Sequence, residues 1–361
     1  MRGSLSSECE HGGDIWDKGL NPRSLLDFSS NVNPLGASRR AVRAIASSMW
    51  RISLYPDPKY EELRSSIARY VNSSPSRIAV SNGASEAIYL LSSLLLKPGD
   101  KAAIFIPTFC EYSRAALSVG AVPKYVDVGL KMPWRGDALE SLRNAKVIFL
   151  CRPNNPTGDL ARRDFIEITA ENSSRRNSYL IIDESFIDFV ENSEYESVVR
   201  LVDKYDNLII VRSLTKFFAL TGLRIGFCVA NEDMIKRLEE RSPPWRVNCF
   251  AEVAAIESLK DSEYIKRTRL FIHRERNFLF RGIEETGKLK PIPSSANFLL
   301  VDTRMSGMSG RTLKEKLLQK MILIKDCGSI PGLDKFYVRI SVSTRERNEL
   351  LLKRLSEVVG E

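Results

Sequence analysis

The sequence predicts an α/β fold: a large domain with a mostly parallel sheet, and a smaller α/β domain built from both chain ends. Three observations carry this. Apolar, β-branched runs alternate with segments of helical character, the pattern of a parallel sheet covered by helices. One such run, 179–186, ends in carboxylates, as strands do where an open sheet binds its ligand. And 361 residues suffice for a large core and two lobes.

Composition narrows the class. Apolar content of 43% and charged content of 27% are those of a soluble globular protein. The net charge of +9, from 54 basic and 45 acidic residues, is scattered in short blocks such as Arg39-Arg40 and Arg175-Arg176. Nucleic-acid binding needs a concentrated stripe, so the excess reads as solvated surface that attracts anionic, phosphorylated substrates. The six cysteines lie far apart with no Cys-x-x-Cys pair, which argues against a metal site and a disulfide framework and for a reducing compartment. The longest apolar run is too short to span a bilayer, and no secretory signal is evident. A cytoplasmic protein is expected.

In chain order, residues 1–36 form an irregular arm whose glycines, prolines and asparagines signal turns. Residues 37–52 join it to the small domain, 53–244 form the large domain and 245–361 the small one. Tyr55-Pro-Asp-Pro leads into an amphipathic helix over 61–71, with Leu63, Ile67 and Tyr70 on one face and Pro58 at its entry. At 78–88 a short strand, a glycine turn and a helix start follow one another. The free N–H groups of such a start make an anion site, and Gly83 lets the backbone approach. Strands are predicted at 101–107, 147–151, 179–186, 207–211 and 225–230. In the second half, 233–241, 249–260 and 264–284 read as helices, 297–302 and 336–343 as strands, and 345–358 as a closing helix.

The stretch Val211-Arg-Ser-Leu-Thr-Lys-Phe-Phe-Ala-Leu-Thr-Gly-Leu-Arg-Ile-Gly226 organises the chain. Lys216 sits between two apolar runs, where partial desolvation lowers an amine's pKa and makes it a nucleophile toward an aldehyde. Ser213 and Arg224 beside it suit a phosphate. An aldehyde and a phosphate on one ligand mean pyridoxal phosphate.

Ser-Leu-Thr-Lys with Arg-Ile-Gly after it resembles the lysine signature of fold-type I pyridoxal-phosphate enzymes, the aspartate aminotransferase superfamily, whose fold is a three-layer large domain plus a smaller α/β domain. The other anchors appear in the expected order. The opening, Leu-Asp-Phe-Ser-Ser-Asn-Val-Asn-Pro-Leu-Gly at 26–36, is similar to that of histidinol-phosphate aminotransferases and, more closely, of threonine-phosphate decarboxylases, and the His-Gly-Gly before it is typical of the latter. The resemblance implies that Gly83, Ala84 and Ser85 cup the cofactor phosphate, that Phe109, with Tyr112 as second candidate, stacks on its ring, and that Asn155 of Pro-Asn-Asn-Pro-Thr-Gly reaches its phenolic oxygen. It also implies that Asp183 pairs with the ring nitrogen, that Lys216 bonds the aldehyde, and that Tyr55 reaches the phosphate of a neighbouring subunit, making a homodimer with shared sites. His11 and Asn33 become candidates for substrate contact. Arg339 is expected to fork onto the substrate carboxylate, with Lys325 standing where an arginine is expected. Phe186, where many histidinol-phosphate aminotransferases carry tyrosine, leans the expectation toward decarboxylation of L-threonine O-3-phosphate to aminopropanol phosphate, for the cobalamin side chain. Histidinol-phosphate:2-oxoglutarate transamination is the alternative.

Overall fold

The computed structural model describes residues 12–13, 15, 24–132 and 137–360. Thirteen strands run in chain order as β1 (Leu26–Asp27), β2 (Ile78–Ser81), β3 (Lys101–Ile106), β4 (Val122–Asp127), β5 (Ala145–Cys151), β6 (Tyr179–Asp183), β7 (Leu208–Ser213), β8 (Gly226–Val229), β9 (Lys290–Pro291), β10 (Phe298–Asp302), β11 (Ile322–Leu323), β12 (Lys325–Asp326) and β13 (Tyr337–Ser341).

Seven of them make the main sheet, in the order β2-β8-β7-β6-β5-β3-β4. The pairs among β4, β3, β5, β6 and β7 are parallel, and β8 joins β7 and β2 antiparallel. Both faces of the inner strands are buried, so β5, β6 and β7 read as continuous apolar runs rather than as alternation, whereas the edge strand β4 is largely exposed. Ile104, Phe149, Ile181 and Ile209 pack into one core, with the helices Gly83–Leu95, Glu111–Ser118 and Glu232–Arg241. Phe105, Ile148, Leu180 and Ile210 pack into the other, with Glu61–Val71, Arg163–Arg175 and Cys249–Leu259. The result is three layers, helix on sheet on helix.

A second, antiparallel sheet, β12-β13-β10-β9, is met by the long helix Ser262–Glu284 and by Gly310–Gln319, and the helix Arg345–Gly360 packs on both of these. The amino-terminal β1 pairs parallel with β11, so the chain's start is woven into its last third. The helix Arg39–Ser47 packs on Cys249–Leu259, which also touches Glu61–Val71. The expected strand at 207–211 extends to Ser213, which brings that hydroxyl to the strand's carboxyl end. Entry to the helix Glu61–Val71 is set by Asp57 rather than by Pro58: its carboxylate accepts from the N–H groups of Lys59 and Glu61, each at 2.9 Å.

One expectation about thiols is corrected. Cys110 is disulfide-bonded. Cys151, Cys228, Cys249 and Cys327 are free and buried, so its partner lies outside the described residues. No described helix is long and apolar enough to cross a membrane.

Candidate active site

A cavity of about 800 Å³ opens at the carboxyl ends of β3, β5, β6 and β7 and is roofed by β12, β13 and residues 27–32. Strand ends of a parallel sheet are where the chain leaves the core, so polar side chains gather there without burying a charge among aliphatics.

One end of the cavity is built for an anion. Strand β2 stops at Ser81, and the helix Gly83–Leu95 starts almost at once, with Ala84 and Ser85 of its first turn lining the cavity. The unpaired N–H groups of that turn point at whatever sits there. Gly83 has φ +81°, and a Cβ on it would fall 2.6 Å from Nη2 of Arg224. A glycine is therefore what allows the guanidinium to lie across the helix start. Ser213, buried at the end of β7, shares a 2.6 Å hydrogen bond with the hydroxyl of Thr215 and lines the same end.

The middle of the cavity carries an acid and an amine. Asp183, at the end of β6, is 4% exposed. The Ser185 N–H donates to its Oδ1 at 2.9 Å and the Tyr112 hydroxyl to its Oδ2 at 2.7 Å. Burial pushes its pKa up, and these bonds oppose the shift. Tyr112 stacks on Phe149, with ring centres 5.3 Å apart, and Phe109 meets its edge and lines the cavity. Lys216 follows β7 on a loop whose next two residues, Phe217 and Phe218, are fully buried and fix its backbone. Desolvation brings the amine's pKa down to about 8, with Arg339 and Arg224 adding to the shift and Asp183 resisting it. Roughly a tenth of such amines are neutral at pH 7, against fewer than about one in a thousand for an ordinary lysine. That population can attack an aldehyde.

The roof supplies cations. Arg339 on β13 and Lys325 on β12 are register partners, so their side chains leave the same face of the sheet about 5 Å apart at Cβ. Arg339 is 7% exposed and donates from Nη2 to the Ser29 carbonyl at 2.7 Å and from Nη1 to Asn155 Oδ1. Asn155 belongs to a loop pinned by its neighbour. The amide nitrogen of Asn154 donates to the Pro107 carbonyl and the Thr157 hydroxyl, and its oxygen accepts from the Thr108 hydroxyl. Asn154 is thereby consumed in holding the loop, and Asn155 is the asparagine left to face the cavity.

The structure thus brings Lys216, Asp183, Ala84, Ser85, Phe109, Asn155, Ser213, Arg224, Arg339 and Lys325 around one cavity, with Gly83 shaping its edge. Tyr55 is elsewhere: it is 78% exposed and stacks on Trp245, with centres 4.3 Å apart, so within one chain it reaches no part of this site. Asn33 is corrected. It is 2% exposed, and its amide nitrogen is spent on the Phe217 carbonyl and the Tyr264 hydroxyl, which leaves it no hydrogen for a substrate. His11 lies outside the described residues. Sequence reasoning missed Tyr112 as the partner of Asp183, because a tyrosine at the second position of a helix carries no signal of which carboxylate it meets. It also missed Gly12, where a Cβ would come within 2.0 Å of the Ser29 carbonyl oxygen. The His-Gly-Gly run was the available hint: two adjacent glycines in an arm mark a close backbone approach.

An anion cup at a helix start, a carboxylate on a parallel strand end and a depressed-pKa lysine on the next define a pyridoxal-phosphate enzyme. These residues fit the group on the chain's own geometry, since a Cβ at Gly83 would fill the space the Arg224 guanidinium occupies over the cup. The model of aminotransferase class I and II matches residues 23–355, and the chain belongs to that family, with pyridoxal 5'-phosphate as its cofactor. It is 35% identical to the threonine-phosphate decarboxylase of Salmonella typhimurium, over 97% of this chain and 96% of that one. It is 32% identical to the histidinol-phosphate aminotransferase of Methanosphaera stadtmanae, over 94% and 92%. Among solved structures, the histidinol-phosphate aminotransferase of Clostridium acetobutylicum superposes with a TM-score of 0.87 at 32% identity, covering 93% of this chain and 99% of that one.

Proposed function

We propose that the protein decarboxylates L-threonine O-3-phosphate to (R)-1-aminopropan-2-ol O-phosphate, in cobalamin biosynthesis, as a homodimer in the cytoplasm. The observation that carries this reading is the facing pair Lys325 and Arg339. Two buried basic side chains from register-paired positions line one wall of the cavity, and that wall matches a substrate with two anionic groups. Phosphothreonine brings a carboxylate and a phosphate at once. Phe186 supports the same reading: it lines the cavity with its edge against Phe298, and a phenyl ring offers no hydroxyl to the cofactor. The likeness to the Salmonella decarboxylase points the same way.

In this reading bound pyridoxal phosphate serves as the sink for the electron pair left on the substrate's Cα when CO2 departs. Arg224, Ser213 and the helix start hold the cofactor phosphate. Asp183, fixed by Tyr112 and Ser185, would pair with the ring nitrogen. Arg339 and Lys325 hold the substrate's anions, and Lys216 returns a proton to Cα. Tyr55 completes the phosphate site of a second copy, and the exposed Trp50, Ile52 and Leu54 near it supply apolar surface for that contact.

A second reading, transamination of histidinol phosphate with 2-oxoglutarate, draws on the 32% relative and the solved structure of that name. One paired assay separates them. CO2 released from phosphothreonine is expected; glutamate formed from histidinol phosphate and 2-oxoglutarate, without CO2 from phosphothreonine, would overturn the first reading.

A further inference from the structure

Asn33 is removed from the substrate's reach, yet every polar atom it has is used, and three of its bonds end on the lysine loop or on groups that hold it. Its backbone N–H donates to the carbonyl of Lys216 itself at 3.0 Å. Its side-chain nitrogen has two hydrogens and three acceptors in range: the Tyr264 hydroxyl at 2.7 Å, the Phe217 carbonyl at 2.9 Å and the Thr268 hydroxyl at 3.2 Å. Its side-chain oxygen accepts from the Leu35 N–H at 3.0 Å, closing a turn that fixes the rotamer. The Tyr264 hydroxyl lies 3.1 Å from the Phe217 carbonyl and 2.7 Å from that of Gly36, so the same two stretches are tied together twice.

Five residues earlier the same extended segment holds the roof. The Phe28 N–H donates to the Leu323 carbonyl and the Ser341 N–H to the Phe28 carbonyl, each at 2.8 Å. The Ser29 carbonyl takes a hydrogen from Arg339, and the Asn31 side-chain oxygen takes one from the Ser341 hydroxyl at 3.0 Å. Residues 28–33 thus run as a strap from the arginine on the roof to the peptide of the lysine on the floor. Both ends bear on one electrostatic unit: Arg339 and Arg224 disfavour a proton on Lys216, and Asp183 favours it.

We propose that Asn33 is a positioning residue for Lys216: it clamps the Lys216–Phe217 peptides to the strap that carries Arg339, and so sets the distance at which the amine feels the two arginines and reaches its reaction partner. The inference rests on the reading of Lys216 as the reactive amine. The chemistry favours asparagine over its neighbours in size. Aspartate has the shape but no hydrogens to give, and would set a negative charge against the Phe217 carbonyl. Serine is too short to span from the strap to the loop.

The test compares Asn33→Asp and Asn33→Ser with Thr268→Val, which removes a hydroxyl from the same cluster without touching the lysine loop. Two quantities are read. In the cofactor-free protein, the pH dependence of Lys216 labelling by an amine-reactive ester gives the amine's pKa. In the cofactor-loaded protein, steady-state kinetics with phosphothreonine, and with histidinol phosphate plus 2-oxoglutarate, split kcat from KM. Both Asn33 variants should move the labelling midpoint by about half a pH unit or more and lower kcat about tenfold to a hundredfold, with KM changed less. Thr268→Val should leave the midpoint in place. The proposal is overturned if the Asn33 variants lose only thermal stability while midpoint and kcat hold, or if Thr268→Val shifts the midpoint equally. Should Asn33→Ser not fold, Asn33→Asp alone decides. Failure of the underlying reading is a separate event: Lys216→Ala that still binds the cofactor with its original visible absorbance removes the reactive amine itself, whatever Asn33 does.

Discussion

The floor and the roof of the cavity are built by different physics. The floor residues Asp183, Ser213 and Lys216 stand at or just beyond the ends of β6 and β7, whose inner residues Leu180, Ile181, Ile182, Leu208, Ile209 and Ile210 are wholly buried. Their positions follow from packing, which tolerates little movement. The roof is aligned by polar contacts: Arg339 bonds the Ser29 carbonyl of the strap and the Asn155 side chain of a loop, and Lys325 is its register partner on the next strand. A packed floor suits a cofactor that stays; a roof held by polar contacts suits a substrate that comes and goes. The comparison teaches that one cavity can keep its chemistry while its specificity is edited in segments far apart in sequence.

Four outcomes test that contrast. The largest effect is expected from Lys216→Ala on the floor, with the rate falling about 10²–10⁴-fold and the cofactor's visible absorbance altered. A rate within tenfold of the parent would break the floor's claim to the chemistry. Next comes Arg339→Ala on the roof. Loss of a charged hydrogen bond to the substrate should cost about 1.5–3 kcal/mol, roughly 10- to 150-fold in kcat/KM for a carboxylate substrate, with the amount of cofactor held at saturation and at a pH above the lysine's pKa unchanged. If that saturating occupancy fell as well, floor and roof would not be separable. Gly83→Ala should weaken cofactor retention about tenfold, because a side chain at φ +81° is strained and its Cβ displaces Arg224; equilibrium dialysis measures it. The smallest effect concerns pH. Only the neutral amine attacks an aldehyde, so cofactor uptake by the stripped protein should rise with pH and level off above the Lys216 pKa of about 8. Arg339→Ala removes a cation that depresses that value, so the midpoint should move upward and uptake at pH 7 should slow a few-fold. A downward move would show that the roof charge does not reach the floor.

The floor was the more legible half in sequence. Its signals are local: apolar runs bounded by the polar residues they deliver, so that the run at 179–186 announces Asp183 and 207–211 announces Ser213 and Lys216, although the strand itself stops at Asp183. The parallel order of the sheet followed from the same alternation, although the antiparallel β8 carries no mark of its direction in residues 225–230. The roof was harder to read because its contacts join residues about 310 apart, as Arg339 and Ser29 are. Arg339 and Lys325 were named by likeness to a family, and their opposition across two strands needed the register. Asn33 was misread because an asparagine in an arm looks the same whether it faces a ligand or a carbonyl. Tyr55 was placed in another subunit's site, and its open position against Trp245 agrees with nothing in its own cavity.

Arg339 is held by groups of the fold itself, the Ser29 carbonyl and the Asn155 side chain. A guanidinium on a free stem must be frozen when it grips a ligand, at about 0.5–1.5 kcal/mol for a side chain with so many rotamers. Here folding has already met that entropy cost, so in the proposed reading a carboxylate arriving at the roof finds its receptor set and more of its binding free energy remains for bending the substrate toward reaction.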